Sequence, residues 1–284
     1  MNVSSEMLGG AILLVAGYGL FSASKVFRYY TKWIFFCIGA CIAASIFIPV
    51  MLLRPRDYRN GLLPSWGARQ ISKCLGLKWS VRGTENIVQD TGCVILLNHQ
   101  SAVDLFVLAN IWPIMGRCTV ISKREIFYLW PFGLAAWLWG TIFIDRLNVE
   151  KAQSTINKTG DTIRNKKAKL AMFPEGTRHI GDELLPFKKG AFHVAIASQT
   201  PIQPIVVSRY YFLDSKTYKF DAGKSVIEIL PAIPTAGLTK NDISELIEKT
   251  RTVMNNAYKK LTQQVTSNCD SSIKNIDTSD STKS

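Results

Sequence analysis

Residues 93–104, Cys93-Val94-Ile95-Leu96-Leu97-Asn98-His99-Gln100-Ser101-Ala102-Val103-Asp104, decide how the rest of the chain is read. Five consecutive apolar residues suit a strand buried on both faces, as in a parallel sheet, and the polar turn after them leads into a helix. Working outward, similar short runs recur at 79–82, 119–122, 141–145, 169–173, 202–207 and 225–230. Helical stretches are expected at 102–110, 148–165, 190–199 and 242–261. The last carries one apolar stripe from Ile243 through Leu246, Thr250, Met254 and Tyr258 to Leu261, and Asp242 with Glu245 resembles a capping box at its start. This alternation predicts one α/β domain with a mixed sheet flanked by helices.

Each of the three histidines can be weighed. His193 sits in the apolar helix Ala191-Phe192-His193-Val194 and reads as a packed histidine, and His179 follows an arginine in a loop. His99 lies where a buried strand ends, the edge of an open α/β sheet at which sites form. Ser101 and Asp104 are spaced as an N-cap and its third residue, so a capping carboxylate is the simplest role for Asp104. The same turn can also bring Asp104 to His99 as the carboxylate that fixes its tautomer and steadies its imidazolium. No G-x-S-x-G elbow supplies a nucleophile, so a histidine base here points to a substrate that brings its own, such as an alcohol.

A second constellation, Phe173-Pro174-Glu175-Gly176-Thr177-Arg178, also follows an apolar strand. An arginine reached through a glycine turn suits phosphate or carboxylate. Lys123-Arg124, Arg146 and Lys188-Lys189 place further bases after other apolar segments; convergence on one sheet edge would make an anion pocket.

The chain has 34 Lys and Arg against 21 Asp and Glu, a net charge of +13, with 47% hydrophobic residues. Such apolar content excludes a disordered polybasic chain, and 19 Gly, 11 Pro and six Cys exclude collagen and a disulfide scaffold. Residues 54–264 hold 29 bases and 17 acids, so nearly all the excess sits on the body and implies an anionic partner. The charge alone also suits nucleic acid, but no interleaved basic and aromatic motif or zinc pattern accompanies it. The cysteines show neither metal spacing nor a bridging framework and are expected as free thiols.

Two apolar runs, 7–23 and 33–53, precede the body. The second is long enough to cross a hydrocarbon core of about 30 Å and is expected to be a transmembrane helix. The first reads as a span, a re-entrant arm or a signal peptide; the missing basic n-region favours a retained anchor. Bases are richer after the second run (Arg54, Arg56, Arg59, Arg69, Lys73) than before it (Lys25, Arg28, Lys32), which places the body in the cytosol. A third apolar stretch, 126–144, is either buried core or a loop and helix that dip Trp and Phe into one leaflet; we favour the second. The resulting division is a membrane anchor at 1–53, a body at 54–264 and a disordered tail at 265–284.

Four ordered blocks carry a family resemblance: Asn98-His99-x4-Asp104, Gly140-x-Ile142-Phe143-Ile144-Asp145-Arg146, Phe173-Pro174-Glu175-Gly176-Thr177-Arg178 and Pro201-Ile202-Gln203-Pro204-Ile205-Val206. Together they resemble the 1-acylglycerol-3-phosphate (lysophosphatidate) acyltransferases, within the wider glycerophospholipid acyltransferases. The likeness runs from about Trp79 to Tyr210, including Ser122-Lys123-Arg124-Glu125 and the segment 185–193. It implies that fold, and transfer of an acyl group from acyl-CoA to the sn-2 hydroxyl of lysophosphatidic acid at a bilayer, in the endoplasmic reticulum membrane with the site on the cytosolic face. His99 would be the general base and Asp104 its partner. Glu175, Gly176, Thr177 and Arg178, helped by Arg146 and Lys123, would hold the glycerol phosphate. Neither metal nor cofactor is implied beyond acyl-CoA as co-substrate, and nucleic acid drops out as partner. Another lysophospholipid or glycerol 3-phosphate as acceptor, and a non-enzymatic anionic-lipid-binding protein, are the alternatives. His99 and Arg178 must share a site, so 126–144 cannot cross the bilayer once between them.

Overall fold

A computed structural model describes residues 3–144, 159–160 and 163–280, with side chains described only from Glu6 to Ser267. Arg146 and most of the helix expected at 148–165 lie outside the described residues; 163–166 are helical.

Seven strands form the main sheet: β1 (Leu77–Arg82), β2 (Cys93–Leu97), β3 (Cys118–Lys123), β4 (Ile142–Ile144), β5 (Lys169–Met172), β6 (Ile202–Val207) and β9 (Gly223–Ile229). They are the seven read from the sequence. Their order is β1-β9-β6-β2-β5-β3-β4. β6, β2, β5, β3 and β4 run parallel to one another, whereas β9 is antiparallel to β6 and parallel to β1, so the sheet is mixed as expected. A two-stranded hairpin, β7 (Leu213–Asp214) and β8 (Lys219–Phe220), is an addition too short for hydrophobic patterning to reveal.

The period-two alternation of β2 divides the core. Ile95 and Leu97 join a cluster with Phe106 and Ile111 of α5 (Asp104–Met115), backed by α4 (Leu62–Cys74). Val94 and Leu96 face the other way, onto Phe192 and Ala195 of α7 (Gly190–Ser198) and Met254 and Tyr258 of α8 (Ile243–Asp280). A strand covered on both faces has no polar position to spare, which is why β2 reads as an unbroken apolar run.

Several boundaries differ from expectation. The second apolar run is not one helix over 33–53. After α1 (Val3–Ala23), α2 (Lys25–Ser45) starts eight residues earlier because Ser24 caps it, its Oγ accepting from Phe27 N at 3.2 Å. The basic linker is therefore the first turns of α2. The chain then breaks before α3 (Ile48–Met51), where Pro49, lacking an N–H, stands in the first turn. α1 and α2 are both long and apolar enough to cross a membrane. One face of α2, with Phe36, Ala40, Ala43 and Ala44, is buried. It packs on α4 so closely that a Cβ on Gly67 would lie 2.8 Å from Ala43 Cβ.

Segment 126–144 divides as well. Phe127, Tyr128, Leu129 and Trp130 are exposed, but the helix α6 (Phe132–Leu138) buries Gly133, Ala135, Ala136 and Leu138, so one face of the helical half packs into the core. β3 and β4, on either side of this segment, are parallel neighbours in one sheet, so it is a crossover within the body. The capping box at the C-terminal helix is Thr239 with Asp242, three residues earlier than read, and closes a 3₁₀ turn ahead of α8. Nor is the tail irregular from 265: α8 runs on to Asp280, and Val265 is buried against the core, so the apolar stripe extends one turn beyond Leu261.

Among the described residues Cys37, Cys41, Cys74, Cys93 and Cys118 are free thiols. Burial pushes the Cys93 thiol up to about 12 and Cys118 higher still.

Candidate active site

Parallel pairing brings the carboxyl ends of β2, β5, β3, β4 and β6 to one edge, so the turns that follow them converge. Asn98 locks the first turn to β6: its Nδ2 donates to Val207 O at 3.0 Å and its Oδ1 accepts from Val207 N at 2.8 Å. Gln100 continues the tie, donating to Ser208 O at 3.0 Å and accepting from Tyr210 N at 3.0 Å.

His99 Nδ1 lies 2.6 Å from Asp104 Oδ2. Oδ2 also accepts the N–H groups of Gln100 at 2.8 Å and Ser101 at 3.2 Å, while Oδ1 accepts from Tyr210 Oη at 2.7 Å. Asp104 thus both caps the turn and orients the histidine. Ser101 is not the side-chain cap: the residue before α5 is Val103, and no side chain caps there. An ionised carboxylate only accepts, so Nδ1 carries the proton and Nε2 presents its lone pair. The ring stacks on Phe173, centroids 4.1 Å apart, and is about one-fifth exposed. The imidazole is held at Nδ1 by Asp104 and on one face by Phe173, and stays partly open to solvent.

Glu175 departs from the expectation that it contacts substrate. It is 3% exposed, and its Oε1 and Oε2 accept the backbone N–H of His99 at 2.8 Å and of Leu185 at 3.1 Å. Both oxygens are occupied by the main chain, and a buried carboxylate would repel a phosphate. Its role is to tie the β5 turn to the β2 turn. Burial pushes its carboxyl above the usual glutamate value, opposed by those two N–H donors and the nearby histidines. A second tie runs from His179 N to His99 O at 2.8 Å. Hence Arg178 neighbours a residue bonded directly to the histidine's backbone.

Gly176 has φ +70°, a conformation that favours glycine. A Cβ there would lie 2.8 to 3.0 Å from Lys188 Cδ, Cε and Nζ, so the missing side chain makes room for the lysine. Thr177 and Arg178 are exposed, and Arg178 makes no hydrogen bond or ion pair with a described residue. Lys123 is exposed at the end of β3 on the same edge. The arrangement couples a rigid imidazole to a basic, open loop.

Two contributors lay outside the residues singled out from sequence. Tyr210 is 1% exposed, and burial beside Asp104 holds its hydroxyl protonated far above the ordinary tyrosine value. Its position just past a strand ending on this edge was the available signal. Phe173 looked like the end of an apolar strand and is a platform for the imidazole.

A strand-end histidine with a buried carboxylate, beside an exposed arginine loop, defines an acyltransferase class, and the acyltransferase family model matches residues 78–208. The human 1-acyl-sn-glycerol-3-phosphate acyltransferase alpha is 35% identical over 85% of this chain and 85% of its own length. The 1-acyl-sn-glycerol-3-phosphate acyltransferase of Haemophilus influenzae is 30% identical over 81% of this chain and 93% of its own length. The chain belongs to the 1-acyl-sn-glycerol-3-phosphate acyltransferase family and is an acyltransferase. In fold it matches the crystal structure of the 1-acyl-sn-glycerophosphate acyltransferase from Thermotoga maritima, with a TM-score of 0.65 at 20% identity, over 84% of this chain and 98% of that one.

Proposed function

We propose that the protein acylates the sn-2 hydroxyl of lysophosphatidic acid with acyl-CoA as donor, giving phosphatidic acid and free CoA. The observation that carries this is the pairing of an oriented His99, its Nδ1 2.6 Å from Asp104, with an exposed Arg178 one residue from the His179 N–H to His99 O bond. Nε2 takes the proton of the acceptor hydroxyl as its oxygen attacks the thioester carbonyl. The C–S bond then breaks, and CoA leaves with the proton returned by the imidazolium. Asp104 stabilises that imidazolium through Nδ1–H. No residue of the protein is acylated.

Arg178, Thr177, Lys188 and Lys123 hold the phosphate, with Arg146 of the Gly140–Arg146 motif as a further base. A guanidinium matches two phosphate oxygens at once, and the glycine turn lets backbone approach. The chemistry calls for no metal or further cofactor. The substrates have long acyl chains, and the exposed apolar surfaces of α1 and α2 (Leu13 74%, Leu14 77%, Ile38 55%) suit a bilayer that delivers them. The family and the charge pattern support the cytosolic face of the endoplasmic reticulum membrane.

Purified protein assayed with acyl-CoAs of graded length against lysophosphatidate, glycerol 3-phosphate and lysophosphatidylcholine tests this. The expected result is highest kcat/KM for lysophosphatidate. Equal or better use of another acceptor overturns the substrate, and absence of transfer overturns the reaction.

A further inference from the structure

A cavity of about 200 Å³ lies where the first turns of α2 meet the β7–β8 hairpin. Lys25, Arg28 and Tyr29 line it from the helix, and Tyr218, Lys219 and Asp221 from the hairpin. None of these residues belongs to the catalytic edge. Three bases face one acid across the cavity, and only part of the positive charge is neutralised. Among the described residues Lys25 and Lys219 make no salt bridge. Arg28 Nη1 donates only to carbonyls, Phe21 O at 3.0 Å and Ser22 O at 3.2 Å. Lys32, one turn further along α2, donates to Phe220 O at 2.6 Å and is the base that Asp221 acts on. Asp214, further along the hairpin, is held by Lys216 N at 2.9 Å and Thr217 Oγ1 at 2.8 Å. It also feels the charge of Lys219, which leaves Lys25 and Arg28 as the bases without a nearby hairpin carboxylate other than Asp221.

The location adds a second constraint. α1 is exposed along most of its apolar length, from Met7 at 71% to Leu20 at 53%, a surface suited to lipid. α1 passes into α2 through Ser24 alone, and the bases begin at once. The cavity therefore stands where apolar chain gives way to charge, the depth of phospholipid headgroups. Tyr29, Tyr30 and Tyr218 meet there, with ring centroids 5.3 to 6.0 Å apart, and tyrosines favour that depth. On the far side of the Phe220 wall, Trp33 Nε1 is buried without an acceptor among the described residues, its ring 5.3 Å from Phe220.

We infer that this cavity binds the phosphate of an anionic phospholipid headgroup and clamps the membrane hairpin to the body. It is a second phosphate site, separate from the acceptor site. Free inorganic phosphate shares the chemistry, so the test must separate the two sources.

The test compares full-length protein on neutral phosphatidylcholine vesicles and on vesicles containing phosphatidylglycerol, whose phosphodiester is not an acceptor or product of the proposed reaction. Lys25→Gln/Lys219→Gln is set against Lys249→Gln/Lys260→Gln, which removes equal charge from the exposed side of α8. A base near an anionic surface contributes about fivefold in binding, so the pocket pair should lose about 25-fold on phosphatidylglycerol vesicles and nothing on neutral ones. The α8 pair should change by less than about twofold, being screened from the surface. Equal loss in both pairs, or loss in neither, overturns the proposal. Inorganic phosphate at fixed ionic strength then assigns the source: no displacement supports the lipid headgroup, and displacement of the pocket-dependent binding overturns it in favour of free phosphate. Melting temperatures in detergent establish that each variant is folded. The readout is binding, so it stands or falls independently of acyl transfer.

Discussion

The turns after β2 and β5 are neighbours on one sheet edge, yet they are built in opposite ways. In the β2 turn the side chains of Asn98, His99, Gln100 and Asp104 are all bonded: Asn98 and Gln100 to the β6 end, His99 to Asp104, and Asp104 accepts four hydrogen bonds. In the β5 turn Thr177 and Arg178 are exposed, and Arg178 is unpaired among the described residues. A base must be fixed before the substrate arrives, because misplacement costs rate; a phosphate ligand must keep its donors free, because prior pairing would compete with substrate. Glu175 crosses this divide. By sequence it belongs to the second turn, by bonding to the first.

The comparison predicts a split between kcat and KM, and the largest test falls on the fixed turn. His99→Ala should lower kcat by about 10²–10⁴-fold with KM for lysophosphatidate nearly unchanged, while the protein still sediments with membranes. Full activity in that variant would remove the base from the mechanism. Arg178→Ala should act on the open turn. Losing a hydrogen bond to a charged group costs about 1.5–3 kcal/mol, so KM for lysophosphatidate should rise about 10- to 100-fold at nearly constant kcat. A fall in kcat alone would mean that Arg178 acts on the transition state and the two turns are not functionally distinct.

How much of this was visible beforehand follows from range of interaction. All seven strands of the main sheet were legible, because burial on one or both faces imposes patterns on consecutive residues. His99 and Asp104 were legible for the same reason, lying five residues apart across one turn. Tyr210 was not, since its bond to Asp104 spans 106 residues and only the sheet order makes them neighbours. The tie made by Glu175 was not legible, because its partners are backbone N–H groups that no side-chain pattern reports. The start of α2 lies before the point the apolar pattern indicates because a cluster of bases reads as a break, whereas Arg28 and Lys32 find carbonyl partners on α1 and β8 while remaining helical.

Tyr210→Phe gives a smaller effect that sharpens the comparison from within the fixed turn. Its hydroxyl is the sole donor to Asp104 Oδ1 among the described residues. Without it the buried carboxylate loses one of its four donors and holds the imidazole less firmly in place. We expect kcat to fall about tenfold, roughly 1.4 kcal/mol, with KM unchanged. A lower melting temperature with kcat unchanged would make Tyr210 a packing residue only.

The smallest effect concerns Glu175 and is read in stability. Burial raises its carboxyl above the ordinary value near 4.5, even against two N–H donors that favour the anion. An acid with a raised native pKa holds its proton in the fold where the unfolded chain has lost it. Its contribution is therefore full below about pH 4.5 and declines as pH rises through the native value. Glu175→Gln removes that titration and leaves one of the two backbone N–H groups without an acceptor, costing about 1–3 kcal/mol. The variant should melt lower than the parent, and the gap should narrow as pH rises above 4.5. A gap that widens with pH would show that the N–H donors of His99 and Leu185 outweigh burial. Glu175 would then be a carboxylate held ionised by the backbone, and the tie between the two turns would be stronger at neutral pH than in acid.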